Sequence, residues 1–287
     1  MNADITTVVA TDPGNAGQLK AWDGGEGAYW AANADAYDAS VRGYHAELLD
    51  AAGLGATDRV LDVGCGAGET TIDAARRAAS AVGVDLSSAM LEVARRRAAD
   101  AGLRNAFFLH ADAQVHPFEP SGFDVVLSRT GSMFFAGAPA AFANLARAVR
   151  PGGRLAMLVW QPVAHNEWFR AFTTALAAGR DLPLPPPGAP GPFSLSDPDS
   201  TRELLQGAGW SGVELAGLER PMLFGPDADT AQAFVLGQLG WLVADLPDSQ
   251  RSRAVDALHA VMREHETADG VLLGSAAWLV TAHRDLP

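Results

Sequence analysis

A doubly wound α/β fold, with helices on both faces of a mostly parallel sheet, is predicted by three features of the 287-residue sequence. Short β-branched runs alternate with helical stretches between residues 59 and 160, the first run ends in a glycine-rich turn, and an acidic residue closes the second. The first strand is read at 59–63 and is followed by Gly64-Cys65-Gly66-Ala67-Gly68 and a helix from Glu69 to Ala79. The second, 81–84, ends at Asp85. Ser87 is then placed to cap a helix that shows Met90, Leu91, Ala94 and Ala98 on one face and stops at Gly102. A third strand at 107–110 leads to Asp112, and a fourth covers 123–128. A helix striped with Phe142, Leu145, Ala146 and Val149 stops at Pro151-Gly152-Gly153, before a fifth strand at 155–160.

Outside this rhythm the pattern is helical. Val41, Tyr44, Leu48 and Leu49 recur at helical spacing within 20–54, and Gly53 supplies a stop. Downstream, a short helix at 168–178 precedes the proline-rich run 182–192, which cannot be a regular core element and reads as a surface connection. A helix near 201–208, a sixth strand at 213–224, a helical excursion over 229–266 striped by Val255, Leu258 and Met262, and a closing strand at 276–282 complete the reading. The expected organisation is a flexible leader (1–18), an N-terminal helical lid (19–54), a ligand-binding core (55–161), a cap insertion (162–210) and the remaining core strands (211–287).

Against 34 Asp and Glu stand 21 Lys and Arg, a formal charge of −13, so the average field repels phosphate backbones and anionic membranes. Neither nucleic acid nor a membrane is an expected partner. The pairs and triplets Arg76, Arg77 and Arg95 to Arg97 fall on helices, where they read as solvated faces. The single cysteine excludes an internal disulfide and fits a reducing, cytoplasmic compartment. No export signal or run of about 18 apolar residues is found, and no His, Cys and carboxylate cluster has zinc spacing, so no metal is expected.

Gly64, Gly66 and Gly68 allow a ligand to approach the backbone where a strand turns into a helix, at the carboxyl edge of the sheet. Asp85, closing the next strand, is placed to accept both hydroxyls of a ribose lying over that turn. A nicotinamide dinucleotide fits poorly: its diphosphate calls for Gly-x-Gly-x-x-Gly, whereas here the spacing is Gly-x-Gly-x-Gly and Asp62 would repel it.

The run Val60-Leu61-Asp62-Val63-Gly64-Cys65-Gly66-Ala67-Gly68, followed by Gly83-Val84-Asp85-Leu86-Ser87, resembles the signature of class I S-adenosylmethionine-dependent methyltransferases of small-molecule type. Ala111-Asp112-Ala113, Phe123-Asp124-Val125-Val126 and Arg150-Pro151-Gly152-Gly153-Arg154 resemble its remaining landmarks in order, so the likeness covers about 55–160. It implies a Rossmann-like, seven-stranded sheet, mostly parallel with an antiparallel strand near the C-terminus, plus a helical cap. It implies an enzyme that passes a methyl group from S-adenosyl-L-methionine to O, N or C of a small metabolite by in-line displacement, leaving S-adenosyl-L-homocysteine. A repurposed, non-catalytic binder of the same cofactor remains the alternative.

By the same resemblance, Asp62 orients the methionine end of the cofactor above Gly64, Cys65, Gly66 and Gly68. Asp85 takes the ribose, Leu86 and Met90 line the adenine pocket, and Asp112 with the backbone of Ala113 reads the adenine edge. Ser128 and Arg129 lie beside the cofactor amino group, and the aromatic lead-in of Trp22, Trp30 and Tyr37 folds over the cofactor. Methyl transfer needs mainly alignment, worth on the order of 7 to 11 kcal/mol, and a base where the nucleophile is oxygen. His165, just past the fifth strand, is the candidate base. Phe134 and Trp168 are the candidate substrate contacts, with Phe135, Phe169, Phe193 and Trp241 as further walls of an apolar chamber.

Overall fold

The computed structural model describes residues 9–182, 186 and 188–286. Four short helices open the chain: Ala16–Trp22 (α1), Gly25–Ala32 (α2), Ala34–Val41 (α3) and His45–Ala52 (α4). Strands and helices then alternate as Arg59–Val63 (β1), Glu69–Ala75 (α5), Ser80–Asp85 (β2), Ser88–Asp100 (α6), Ala106–His110 (β3), Phe123–Arg129 (β4), Ala138–Ala148 (α7) and Val149–Trp160 (β5). The remainder comprises Glu167–Ala177 (α8), Pro198–Gly207 (α9), Ser211–Gly225 (β6), Ala228–Leu239 (α10), Asp248–Glu264 (α11), Glu266–Thr267 (β7) and Gly270–His283 (β8).

Side chains set several of these boundaries. Ser87 accepts the Met90 N–H to start α6, as its position predicts, and Asp197 and Asp227 do the same for α9 and α10. Helix α5 stops at Ala75 rather than 79, because the N–H groups of Ala79 and Ser80 turn to the Asp58 carbonyl and the chain enters β2. Residues 13–18, expected in a loose leader, are helical. Asp12 accepts the Gly14 N–H, Pro13 opens the turn, and Asn15 is buried. Residues 1–8 lie outside the described residues, as do 183–185 and 187 of the proline-rich connection.

The sheet runs β3-β2-β1-β4-β5-β8-β6. β1 to β5 are parallel, and β8 is antiparallel to both β5 and β6. The count is eight strands rather than seven because β7, only two residues long, pairs with the start of β8. So short a strand carries no periodicity. β8 also begins six residues earlier than expected, since its first half continues the long antiparallel ladder with β6 (Gly225↔Val271 to Ser211↔His283).

Alternate residues of the central strands enter two separate cores. Val60, Val125, Leu127 and Ala156 pack with Leu48 and Leu49 of α4 on one face. Leu61, Val63, Val126 and Met157 pack with Phe142 and Leu145 of α7 on the other. With both faces covered, the exposed chemistry is pushed to the strand ends. The chain leaves β1 toward β2 on one side and returns as β4 on the other, so the crevice for a ligand opens between the carboxyl ends of these strands.

Gly68 shows how tightly the helices close on that edge. It has φ 85°, and an added Cβ would stand 2.7 Å from the Ala94 Cβ and 2.9 Å from the Phe108 ring. Its requirement for glycine is therefore one of helix packing. Gly68→Ala is expected to lower stability by about 1–3 kcal/mol, read as an earlier urea midpoint; an unchanged midpoint would refute this account of the turn.

Candidate active site

The loops at the carboxyl ends of β1, β2 and β4, together with α1 to α3, β6 and α10, enclose a cavity of about 220 Å³. Its floor is set by the approach of two loops. Gly64 (φ 65°) and Gly131 face each other so closely that a Cβ on either would lie 2.7 Å from the other's Cα. The turn is fixed by the Gly64 and Cys65 N–H groups on the Val84 carbonyl (2.9 and 3.2 Å) and by the Gly66 N–H on Asp85 Oδ2 (2.8 Å). Asp85 Oδ1 accepts the Ser87 N–H at 2.8 Å, so this carboxylate ties the β1 turn to the start of α6.

Asp62 is the anomaly. Thr71 donates to its Oδ2 at 2.6 Å, while Oδ1 is buried in the cavity wall with no hydrogen-bond partner. Burial, joined by the neighbouring Asp85 charge and opposed by Thr71, Arg129 and His45, pushes its pKa up to about 6. Asp85 is likewise raised by burial. Buried carboxylate oxygens are ordinarily paired, so an orphan in the wall of a cavity marks a place for a donor. Asp112 accepts the Gln114 N–H through Oδ1 (2.9 Å) and the Asp12 N–H through Oδ2 (3.2 Å), which brings the N-terminal segment onto the same cavity.

A buried ion cluster holds α3 against the core. Arg129, at the end of β4, donates to Asp38 of α3 and to Glu69 of α5, and its Nη1 lies 3.1 Å from His45 Nδ1. Because arginine can only donate, His45 Nδ1 accepts, and its Nε2–H therefore points to Asp73 at 2.8 Å. Arg97 of α6 adds a second arm to Asp38 (2.8 Å), to Asp35 and to the Ala67 carbonyl. One step inward the Tyr37 hydroxyl meets Thr130 Oγ1. Trp30 stands edge-on to Tyr37 (ring centroids 4.8 Å) and to Phe234 (6.3 Å), and Trp22 edge-on to Phe134 (5.1 Å).

Residues 60–153, from β1 into β5, match the family described as "Methyltransferase domain". The chain is 39% identical over 113 residues to an uncharacterized protein of Mycobacterium tuberculosis, a match covering 39% of this chain and 41% of that protein. It is 35% identical over 132 residues to the aklanonic acid methyltransferase DauC of Streptomyces sp. strain C5, covering 45% of this chain and 57% of the relative. The matched stretch thus spans about two fifths to just over half of these relatives' lengths. Among solved structures, the YcgJ protein of Bacillus subtilis shares the fold at 19% identity, with a TM-score of 0.60 over 86% of this chain and 100% of its own.

The matched segment brings Asp62, Gly64, Cys65, Gly66, Asp85 and Leu86 to the cavity wall. Met90, Asp112, Ala113, Arg129 and Phe134 join them from the same segment, and Trp22, Trp30, Tyr37 and Trp168 from outside it. Three expected residues stand elsewhere. Gly68 is taken up by the α5–α6 contact. Ser128 is buried behind the wall, where its hydroxyl donates to the Val63 carbonyl and accepts the Ser132 N–H, stapling β4 to β1. His165 is exposed on the turn after β5 and does not line the cavity, so the expectation of a base there is not supported. Its neighbour Asn166 turns inward instead, to the Gln161 carbonyl and the Ala276 N–H. Of the other aromatics, Phe135 lines the cavity, Phe169 and Phe193 form a second layer on Trp168, and Trp241 is 70% exposed.

Sequence reasoning missed the ion cluster. Arg97 read as one of a solvated triplet, although Asp35 and Asp38 sit three apart on one helix face and could have signalled a shared cationic partner. No group of three or more His, Cys, Asp or Glu is placed to hold a metal among the described residues. Arg129→Met would take from Asp38 and the half-buried Glu69 the cation they share, leaving Asp38 only Arg97, and is expected to cost about 1–3 kcal/mol. An unchanged denaturation midpoint in that variant would show that the cluster does not hold α3.

Proposed function

We propose that the chain binds S-adenosylmethionine in this cavity and transfers its methyl group to a small molecule by in-line displacement. The observation that carries the reading is the orphaned Oδ1 of Asp62, a buried anionic acceptor at the β1 turn suited to the ammonium of the cofactor's methionine end. Asp85 keeps acceptor capacity for ribose hydroxyls beyond its two backbone bonds, and Leu86 and Met90 offer an apolar slot for adenine beside Asp112 and Ala113. These side chains fit that cofactor by their donor set, and the 35% identity to DauC over 132 residues supports the same reaction class. When bound, the cofactor would supply a sulfonium methyl to an acceptor's electron pair: the bond to carbon forms as the carbon–sulfur bond breaks, the sulfur leaves as a neutral thioether, and the acceptor's proton is released to solvent.

The chain's own task is to align the acceptor and exclude water, and α1 to α3 with their aromatic side chains supply that closure over the sheet edge. We read residues 19–54 accordingly as a lid and 162–210 as a cap. The small-molecule acceptor is supported by the enclosure of the cavity, and the exclusion of nucleic acid by the charge of −13. A cytoplasmic setting is supported by the lone buried cysteine; no described helix is long and apolar enough to cross a membrane.

Calorimetry with S-adenosylhomocysteine tests the reading. Because burial pushes the Asp62 pKa up to about 6 and only its ionised form accepts the ligand's ammonium, affinity is expected to hold above that pH. Below it, affinity should fall by about tenfold for each pH unit. Asp62→Asn should remove this pH dependence and Asp85→Ala should weaken binding; tight uptake of NADH without S-adenosylhomocysteine would end the case. Tritiated-methyl transfer to a metabolite extract distinguishes turnover from binding alone.

A further inference from the structure

Beyond the loops of β1 and β2 the cavity is walled by Trp30, Phe134, Trp160, Trp168, Phe224 and Phe234. The charged side chains in the described lining are four aspartates (Asp38, Asp62, Asp85 and Asp112) and one arginine. That arginine, Arg129, is already committed to Asp38, Glu69 and His45. An anionic guest would therefore lose its hydration without gaining a counter-charge.

One polar pair stands at the join between this chamber and the Gly64 loop. Thr130 adopts φ 63°, a conformation that a β-branched residue rarely takes and that costs about 1–3 kcal/mol. It is held there by its neighbour Gly131 against Gly64, and by Tyr37. Counting protons fixes what the pair offers. Thr130 Oγ1 donates to the Arg129 carbonyl at 2.6 Å, so the Tyr37 hydroxyl must donate to Thr130, which leaves only lone pairs on the Tyr37 oxygen. Burial also pushes the Tyr37 pKa up, which keeps the phenol neutral.

Resting on the methyl-transfer reading above, we propose that the chamber selects a flat, uncharged, apolar acceptor whose O–H or N–H donates to the Tyr37 oxygen, and that it rejects anionic acceptors. The wall chemistry supplies the first half: aromatic faces contribute area to flat apolar guests, with offset or edge contacts favoured. The proton count supplies the second, since a buried acceptor left unpaired penalises any guest without a donor. The donor atom is thereby held beside the Gly64–Gly131 contact, next to the carboxylate assigned to the cofactor.

Equilibrium dialysis of the full chain with 2-naphthol, 2-methoxynaphthalene and 2-naphthoate tests this, with S-adenosylhomocysteine present and absent. The naphthol is expected to bind about tenfold or more tightly than either the methoxy compound or the carboxylate. Tyr37→Phe should erase its advantage over the methoxy compound, and Gln238→Lys, at the cavity wall, should narrow the gap to the carboxylate. Equal binding of all three probes, tighter binding of the naphthoate, or an unaltered naphthol preference in Tyr37→Phe would overturn the proposal. Failure of S-adenosylhomocysteine to bind, with the probe ratios intact, would sink the cofactor reading alone.

Discussion

The site depends on a carboxylate that the fold satisfies only by half. Asp62 sits at the end of β1, paired with Gly83 on one side and Leu127 on the other, so its side chain cannot reach bulk water without breaking the sheet. Thr71 pairs one oxygen and nothing pairs the second. A rise from 3.8 to about 6, at about 1.4 kcal/mol per tenfold change, makes the ionised form cost the fold roughly 3 kcal/mol at neutral pH. The sign follows from an acid whose folded pKa is raised: the cost fades as the pH drops through 6, where the folded state takes up its proton first. On the proposed reading a cation on Oδ1 offsets the same cost, so the half-satisfied carboxylate favours a positively charged ligand.

The second constraint is that α3 and the cavity floor share one cation. Arg129 leaves β4 two residues before the Gly131–Gly64 contact, and its guanidinium joins α3, α4 and α5 through Asp38, His45 and Glu69. Tyr37 belongs to the α3 segment it holds down, and Trp30 packs edge-on against Tyr37. Seating α3 and completing this part of the aromatic wall are therefore coupled. Removing Arg129 leaves buried Asp38 with Arg97 as its remaining cation, which is why the cluster is sensitive to that substitution.

Much of the core was legible because its signals are local. The turn glycines and Asp62 stand in one contiguous run, the Ser87 cap is set three residues from Met90, and Phe142, Leu145 and Ala146 fall on the buried face of α7, whereas Val149, expected on the same stripe, opens β5. The unreadable parts are those decided at a distance. Arg97 looks like surface charge until α3, about 60 positions earlier, folds over it. His165 and Asn166 are adjacent polar residues, and only the β5–β8 pairing decides which turns inward. Strand β7 exists because of the turn it flanks. The leader was misread for the same reason: what orders Asp12 is Asp112, a hundred residues away.

The division of the cavity follows from these facts. The acidic half belongs to the matched segment 60–153, apart from Asp38, whereas most of the aromatic half comes from Trp22, Trp30, Trp160, Trp168, Phe224 and Phe234, outside it. Sheet topology fixes the first, because a register shift in β1 or β4 would move Asp62 or Arg129 off the edge. The second hangs on lid and cap segments that can change without disturbing the sheet. On the proposed reading the field of the acidic half also acts on the reaction as a whole. The bound reactant carries a sulfonium charge that the thioether product lacks, so the surrounding carboxylates hold the reactant more strongly than what it becomes. The same charges that select the cofactor thus favour its exchange once the methyl group has gone.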